Sequence, residues 1–174
     1  MKTRLFCFLT LFILFCRADD DNLLQNPDFS LLTETGTIAA WHLSANAQVS
    51  DGVLTLPLSQ KRKDSDIHTA SVVQYFKNIQ AGLHSFSAQY KGEFKNLYIV
   101  LRVYDEQGKQ RELLQKWLSR KDFIAAAGQP GWYGFFYHFK VPEGVNRASI
   151  HIEPWGNLGE SIEIRQIKLC ENED

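Results

Sequence analysis

Cysteine and proline are scarce in this 174-residue chain, with three and five respectively, and its charges nearly cancel, 19 Lys and Arg against 20 Asp and Glu. Three cysteines cannot staple a disulfide-built scaffold, so a hydrophobic core must hold the fold. A near-neutral chain lacks the basic footprint of a general nucleic-acid binder. No apolar run approaches the ~20 residues that cross a bilayer as a helix. Also missing are a Gly-x-Ser-x-Gly elbow, His-Glu-x-x-His, a phosphate-binding glycine loop and zinc-type Cys/His spacing. Their absence removes the chemistries those motifs serve. With 44% hydrophobic and 22% charged residues, disordered and fibrous classes are excluded as well.

What is present begins with a leader. Lys2 and Arg4 precede the uncharged run Leu5 to Cys16, and Arg17-Ala18 then gives way to Asp19-Asp20-Asp21. A basic start, a short apolar stretch and a small residue before an acidic segment describe a secretory signal peptide over residues 1–18, cleaved after Ala18. Residues 19–174 then form one domain, exported to the periplasm or outside the cell, with no stable membrane span. Cleavage takes Cys7 and Cys16 with the leader and leaves Cys170 without an intrachain partner.

Period-two alternation dominates the rest. Leu54, Leu56 and Leu58 oppose Val53 and Thr55, and His84, Phe86, Ala88 and Tyr90 oppose Ser85, Ser87 and Gln89. Residues 97–104 and 135–141 are rich in β-branched and aromatic side chains, and the second of these runs into the turn signal Pro142-Glu143-Gly144. Residues 148–153 and 161–169 alternate cleanly. Short alternating strands between Gly, Pro, Asn and Asp clusters predict an all-β, antiparallel sandwich or barrel. One stretch departs from this pattern: Leu113, Leu114, Trp117 and Leu118 have near-helical spacing, so residues 111–128 read as a strand followed by a short helix.

Several segments together resemble the β-sandwich carbohydrate-binding modules of families 4 and 9, within the galactose-binding-like jelly rolls. The opening Asn22-Leu23-Leu24-Gln25-Asn26-Pro27-Asp28-Phe29-Ser30 is similar to the family's first strand. Trp41, the Gln-bearing Val73-Gln74-Tyr75-Phe76, Gly131-Trp132 with the strand after it, and residues 163–169 follow in the family's order. The resemblance implies a non-catalytic module that binds an oligo- or polysaccharide. Family members often hold a structural calcium through carboxylates after the first-strand Phe and in the last strand. Here those places carry Ser30, Arg165 and Gln166, so neither calcium nor another cofactor is expected.

Sugars are gripped by aromatic rings against their C–H faces and by amides, carboxylates and guanidinium groups on their hydroxyls. Alternation turns Gln89, Arg102, His138 and His151 outward, together with Tyr98, Tyr104 and Phe136. If their strands share a sheet, these residues form a platform for a polar ring ligand; otherwise they are a solvated face. Trp155, in the predicted loop Pro154-Trp155-Gly156-Asn157, is a further ligand candidate. Trp41 and Trp132 read as core, Trp117 as a pin for the irregular segment, and residues 61–66 as a solvated loop. Catalysis is not expected: the Glu-x-Asp-x-x-Glu cluster of sandwich glucanases is absent, and Glu160 and Glu163 read as a solvent-facing pair. The alternative to a sugar ligand is a structural or interaction protein that uses the same sandwich on a protein of the cell envelope or extracellular space.

Overall fold

The alternating segments pair as strands in the computed structural model, which describes residues 22–35, 37–44 and 46–172. The expected leader lies outside the described residues. In chain order the strands are β1 (His42–Leu43), β2 (Gln48–Ser50), β3 (Val53–Pro57), β4 (Gln60–Lys61), β5 (His68–Thr69), β6 (Val72–Lys77) and β7 (Gly82–Gly92). They continue as β8 (Asn96–Asp105), β9 (Gln110–Leu118), β10 (Ile124–Ala125), β11 (Tyr133–Val141), β12 (Val145–Gly156) and β13 (Ser161–Glu171). All pairings are antiparallel. One sheet of six runs β10-β11-β7-β13-β3-β2. In the other, of seven, β12 is central. On one side it pairs with β8, which pairs with β9; on the other it pairs with β6, then β1, and farther along with β5, then β4.

The two sheets bury the alternating faces read from the sequence. Leu54, Leu56, Phe86, Ile99, Leu101, Val103, Ile150, Ile152, Ile162 and Ile164 are all buried in one core. Transfer of this apolar surface from water is the main term that holds a sandwich together. The opening segment is sewn onto the sandwich by amide side chains. Asn22 accepts the Leu169 amide and donates to the Ile167 carbonyl, while the buried Gln74 side chain both accepts from and donates to the backbone of Gln25. Trp41 is buried against Phe29 and donates its indole N–H to the Asn26 carbonyl, as a core residue should.

The expected short helix is a single 3-10 turn, Arg120–Asp122, and residues 110–118 are a strand. Their helical look comes from a β-bulge. Opposite Leu101 and Arg102 stand Leu114 and Glu112, so Leu113 is an extra residue that breaks the period of two. Cys170, buried at the end of β13, is disulfide-bonded rather than the expected lone thiol.

Candidate functional site

Residues directly opposite in antiparallel strands point to the same face, so register lays out the outer surface of the seven-stranded sheet in rows. One row is Trp117, Tyr98 and Glu153. The next is Gln115, Val100, His151, Val73 and His42. Glu112, Arg102, Ser149 and Tyr75 form the third, and Gln110, Tyr104, Arg147 and Lys77 the fourth. At about 3.4 Å per residue and 4.8 Å per strand, the face measures roughly 20 Å from Trp117 to Tyr75. Val100 is fully buried beneath its neighbours and forms the floor.

One corner is aromatic. The Trp117 ring lies 4.4 Å from that of Tyr98 and meets Trp155 edge-on at 4.6 Å. The Arg62 guanidinium sits 3.9 Å over the Trp155 ring and donates to Glu153 Oε1, which also accepts the Trp155 indole N–H. Trp117 remains 49% exposed, so part of its apolar indole is presented to solvent.

The centre is polar and pre-ordered. Arg102 donates from Nε to Glu112 Oε1 at 3.1 Å, Gln115 donates to the Tyr98 hydroxyl, and His151, Ser149 and Tyr104 form a hydrogen-bonded chain with both links at 3.2 Å. Across from them the Tyr75 ring, 57% exposed, is edge-on to both His151 and His42. Burial, and after it the Arg102 guanidinium, push His151 down to about 4 against an opposing pull from Glu112.

The sequence-derived platform is therefore split. Arg102, His151, Tyr98 and Tyr104 lie together on this face, and Trp155 joins them. Gln89, Phe136 and His138 sit on β7 and β11, on the outer side of the other sheet. There Gln89 accepts from Arg165, whose guanidinium also donates to Gln129 and lies 3.7 Å over the Trp132 ring. Phe136 packs edge-on against His138. The expected single row fails because alternation fixes a side chain's face but says nothing about which strand lies beside which. Trp132 is only half-buried, short of the core position expected.

Trp155 is not in a loop either: β12 continues through Pro154 to Gly156. A strand residue's N and O point the same way, and the Pro154 carbonyl accepts from Ala70, in the gap between β5 and β6. The missing proline N–H faces that gap and costs no ladder bond. Trp117, Tyr75, Gln115, Glu112, Glu153 and Arg62 were missed. Arg62 belongs to a loop that is not merely solvated, and Trp117 caps the outer face rather than pinning a segment. The Glu160 and Glu163 carboxylates are not paired with each other. Glu160 accepts the Asn157 amide, and Glu163 bonds Lys91.

The residues at the places where the resembled family carries calcium-binding carboxylates have other partners here. Arg165 lays its guanidinium over Trp132 and donates to Gln89, and the Ser30 hydroxyl donates to Asp28.

Stability should carry the signature of His151. Its folded value is depressed, so the unfolded chain takes up a proton below about 6.5 while folded His151 stays neutral to about 4. Stability from this group is thus complete above pH 6.5 and falls between pH 6.5 and 4. Chemical denaturation at pH 7, 5.5 and 4.5 should show a shallower acid loss for His151→Gln than for wild type. Equal slopes would contradict the burial of this imidazole. Ligand binding should be flat between pH 5 and 8 as far as His151 is concerned.

No protein-family model and no curated protein matches the chain at a significant level. Solved structures do. The fold is an antiparallel β-sandwich similar to those of several solved carbohydrate-binding modules. A family 4 carbohydrate-binding module superposes with a TM-score of 0.59 at 12% identity, covering 86% of this chain and 99% of that one. A family 61 module, solved with β-1,4-galactotriose, gives 0.52 at 21% identity over 87% and 99%. The N-terminal cellulose-binding domain of Cellulomonas fimi β-1,4-glucanase C gives 0.51 at 6% identity over 78% and 90%. At these identities the likeness is one of architecture.

Proposed function

We propose that this chain is an exported, non-catalytic module that binds an oligo- or polysaccharide on the outer face of its seven-stranded sheet. The observation that carries this reading is the face itself. Exposed indole and phenol rings of Trp117 and Tyr75 stand at opposite corners of a patch of side chains already held by hydrogen bonds. Aromatic faces take the C–H surface of pyranose rings, and the guanidinium, amide and imidazole groups between them take hydroxyls. Pre-ordered side chains lose little rotamer freedom on binding. The solved sandwiches it resembles include a module with a bound galactotriose and a cellulose-binding domain, which supports the same reading.

The carboxylates on the face are committed to arginines, Glu112 to Arg102 and Glu153 to Arg62. Such pairing suits hydroxyl recognition better than proton transfer to a glycosidic oxygen. A glycan array with residues 19–174 tests the function; retention of no glycan would favour a protein partner instead. Arg102→Ala should weaken binding by about 1–3 kcal/mol by removing a planar donor fork. Its stability cost should stay below about 1 kcal/mol, as for other partly exposed ion pairs. Unchanged affinity, measured by titration calorimetry, would remove Arg102 from the site.

Export rests on the leader. N-terminal sequencing of protein recovered outside the cytoplasm should begin at or near Asp19, and a mature chain that still begins at Met1 would contradict it.

A further inference from the structure

The cations on the outer face divide into two kinds. Arg62 and Arg102 are answered by Glu153 and Glu112. Lys77 and Arg147 are not: among the described residues neither has a carboxylate within ion-pair distance. Yet the two stand directly opposite each other on β6 and β12. Like charges facing each other across two strands are destabilising, and the fold retains this pair although the chain as a whole has as many acids as bases to within one residue.

Their surroundings are equally specific. Tyr75 precedes Lys77 by two residues on the same face, and Tyr104 is the partner of Arg147 on the opposite flank. With Phe76 and Ala148 these four side chains line an open hollow of about 330 Å³, and no acidic residue contributes to its wall. In the neighbouring β8–β9 turn, Asp105 accepts the backbone amide of Lys109. The hollow adjoins the row of Tyr75, Ser149 and Arg102, so a chain lying on the aromatic face reaches it without a break.

We propose that this hollow receives an anionic group carried by the sugar, and that the polysaccharide taken by the face is therefore acidic. The inference rests on the carbohydrate reading above and narrows it to a substrate class. Arg147 offers a planar fork that matches a carboxylate or sulfate oxygen pair, and Lys77 adds a compact charge. Tyr75 and Tyr104 flank the ring that bears the group. An arriving anion also relieves the repulsion between the two cations, so binding and local electrostatics act in the same direction.

The test measures affinity for polygalacturonate, for the same polymer after carboxyl reduction, and for a sulfated galactan. Wild-type protein should bind an acidic polymer at least about tenfold more tightly than the reduced one, since hydrogen bonds to charged groups are the stronger kind. Added salt should erode that preference. Lys77→Ala/Arg147→Ala should abolish the preference while leaving binding to the reduced polymer unchanged. Because both residues are exposed and repel each other, its thermal midpoint should be equal to or above that of wild type. The stronger of the two acidic polymers identifies carboxylate or sulfate as the group received. Equal binding of acidic and reduced polymers by wild type, or a preference that survives the double substitution, overturns the proposal while leaving the carbohydrate face intact. Failure to bind any of the three polymers overturns the proposal, and the carbohydrate reading falls with it only if the glycan array retains nothing either.

Discussion

Trp117→Ala should weaken oligosaccharide binding about thirtyfold, some 2 kcal/mol, with little loss of stability. Trp117 is 49% exposed and lies at the edge of the sheet on β9, so about half of its surface is offered to solvent. It also orders its neighbours, with Tyr98 at 4.4 Å and Trp155 at 4.6 Å, and truncation would loosen that corner as well as remove a stacking surface. Half-exposed side chains away from the core change stability by about 1 kcal/mol or less. Calorimetric titration and a thermal melt on the same sample separate the two effects. Cooperative unfolding of the variant with affinity retained by its folded fraction would make Trp117 a structural pin, the role its sequence context suggests.

Phe86→Ala should do the reverse. Phe86 is fully buried on β7, opposite Tyr137 on β11 and Leu169 on β13, with its ring 5.7 Å from that of Phe135. Truncation removes a large transfer term and leaves a cavity that rigid strands cannot close, a loss of about 3–5 kcal/mol. In a domain of this size that lowers the thermal midpoint by about 10 °C. The outer face of the other sheet should be untouched, so affinity measured well below the midpoint should equal that of wild type. A loss under about 1 kcal/mol would mean that the two sheets do not pack through this residue.

These two residues mark what the sequence made legible. Phe86 is buried because it belongs to an uninterrupted alternation, and alternation is a local signal. Leu54, Leu56, Ile150 and Ile164 lie in equally regular alternations and are buried with it. The site is different in kind. Arg102 and His151 come together through the pairing of β8 with β12, and Gln89 is carried away by the pairing of β7 with β13, facts set by strand order rather than by either segment. Trp117 was hidden by the bulge at Leu113, which mimics helical spacing, and Trp155 by Pro154, a breaker elsewhere but harmless where its missing N–H faces a gap. Tyr75 and Glu112 carried no local mark at all.

The most direct test of the face is a titration followed through the four indole N–H resonances, with an oligosaccharide selected on the glycan array. The account predicts that the signals of Trp117 and Trp155 shift, together with amides of β6, β8, β9 and β12. Those of Trp41, locked to the Asn26 carbonyl, and of Trp132, beneath Arg165, should stay in place. Shifts confined to Trp132 and the strands that carry Phe136 and His138 would contradict it and move the site to the other sheet.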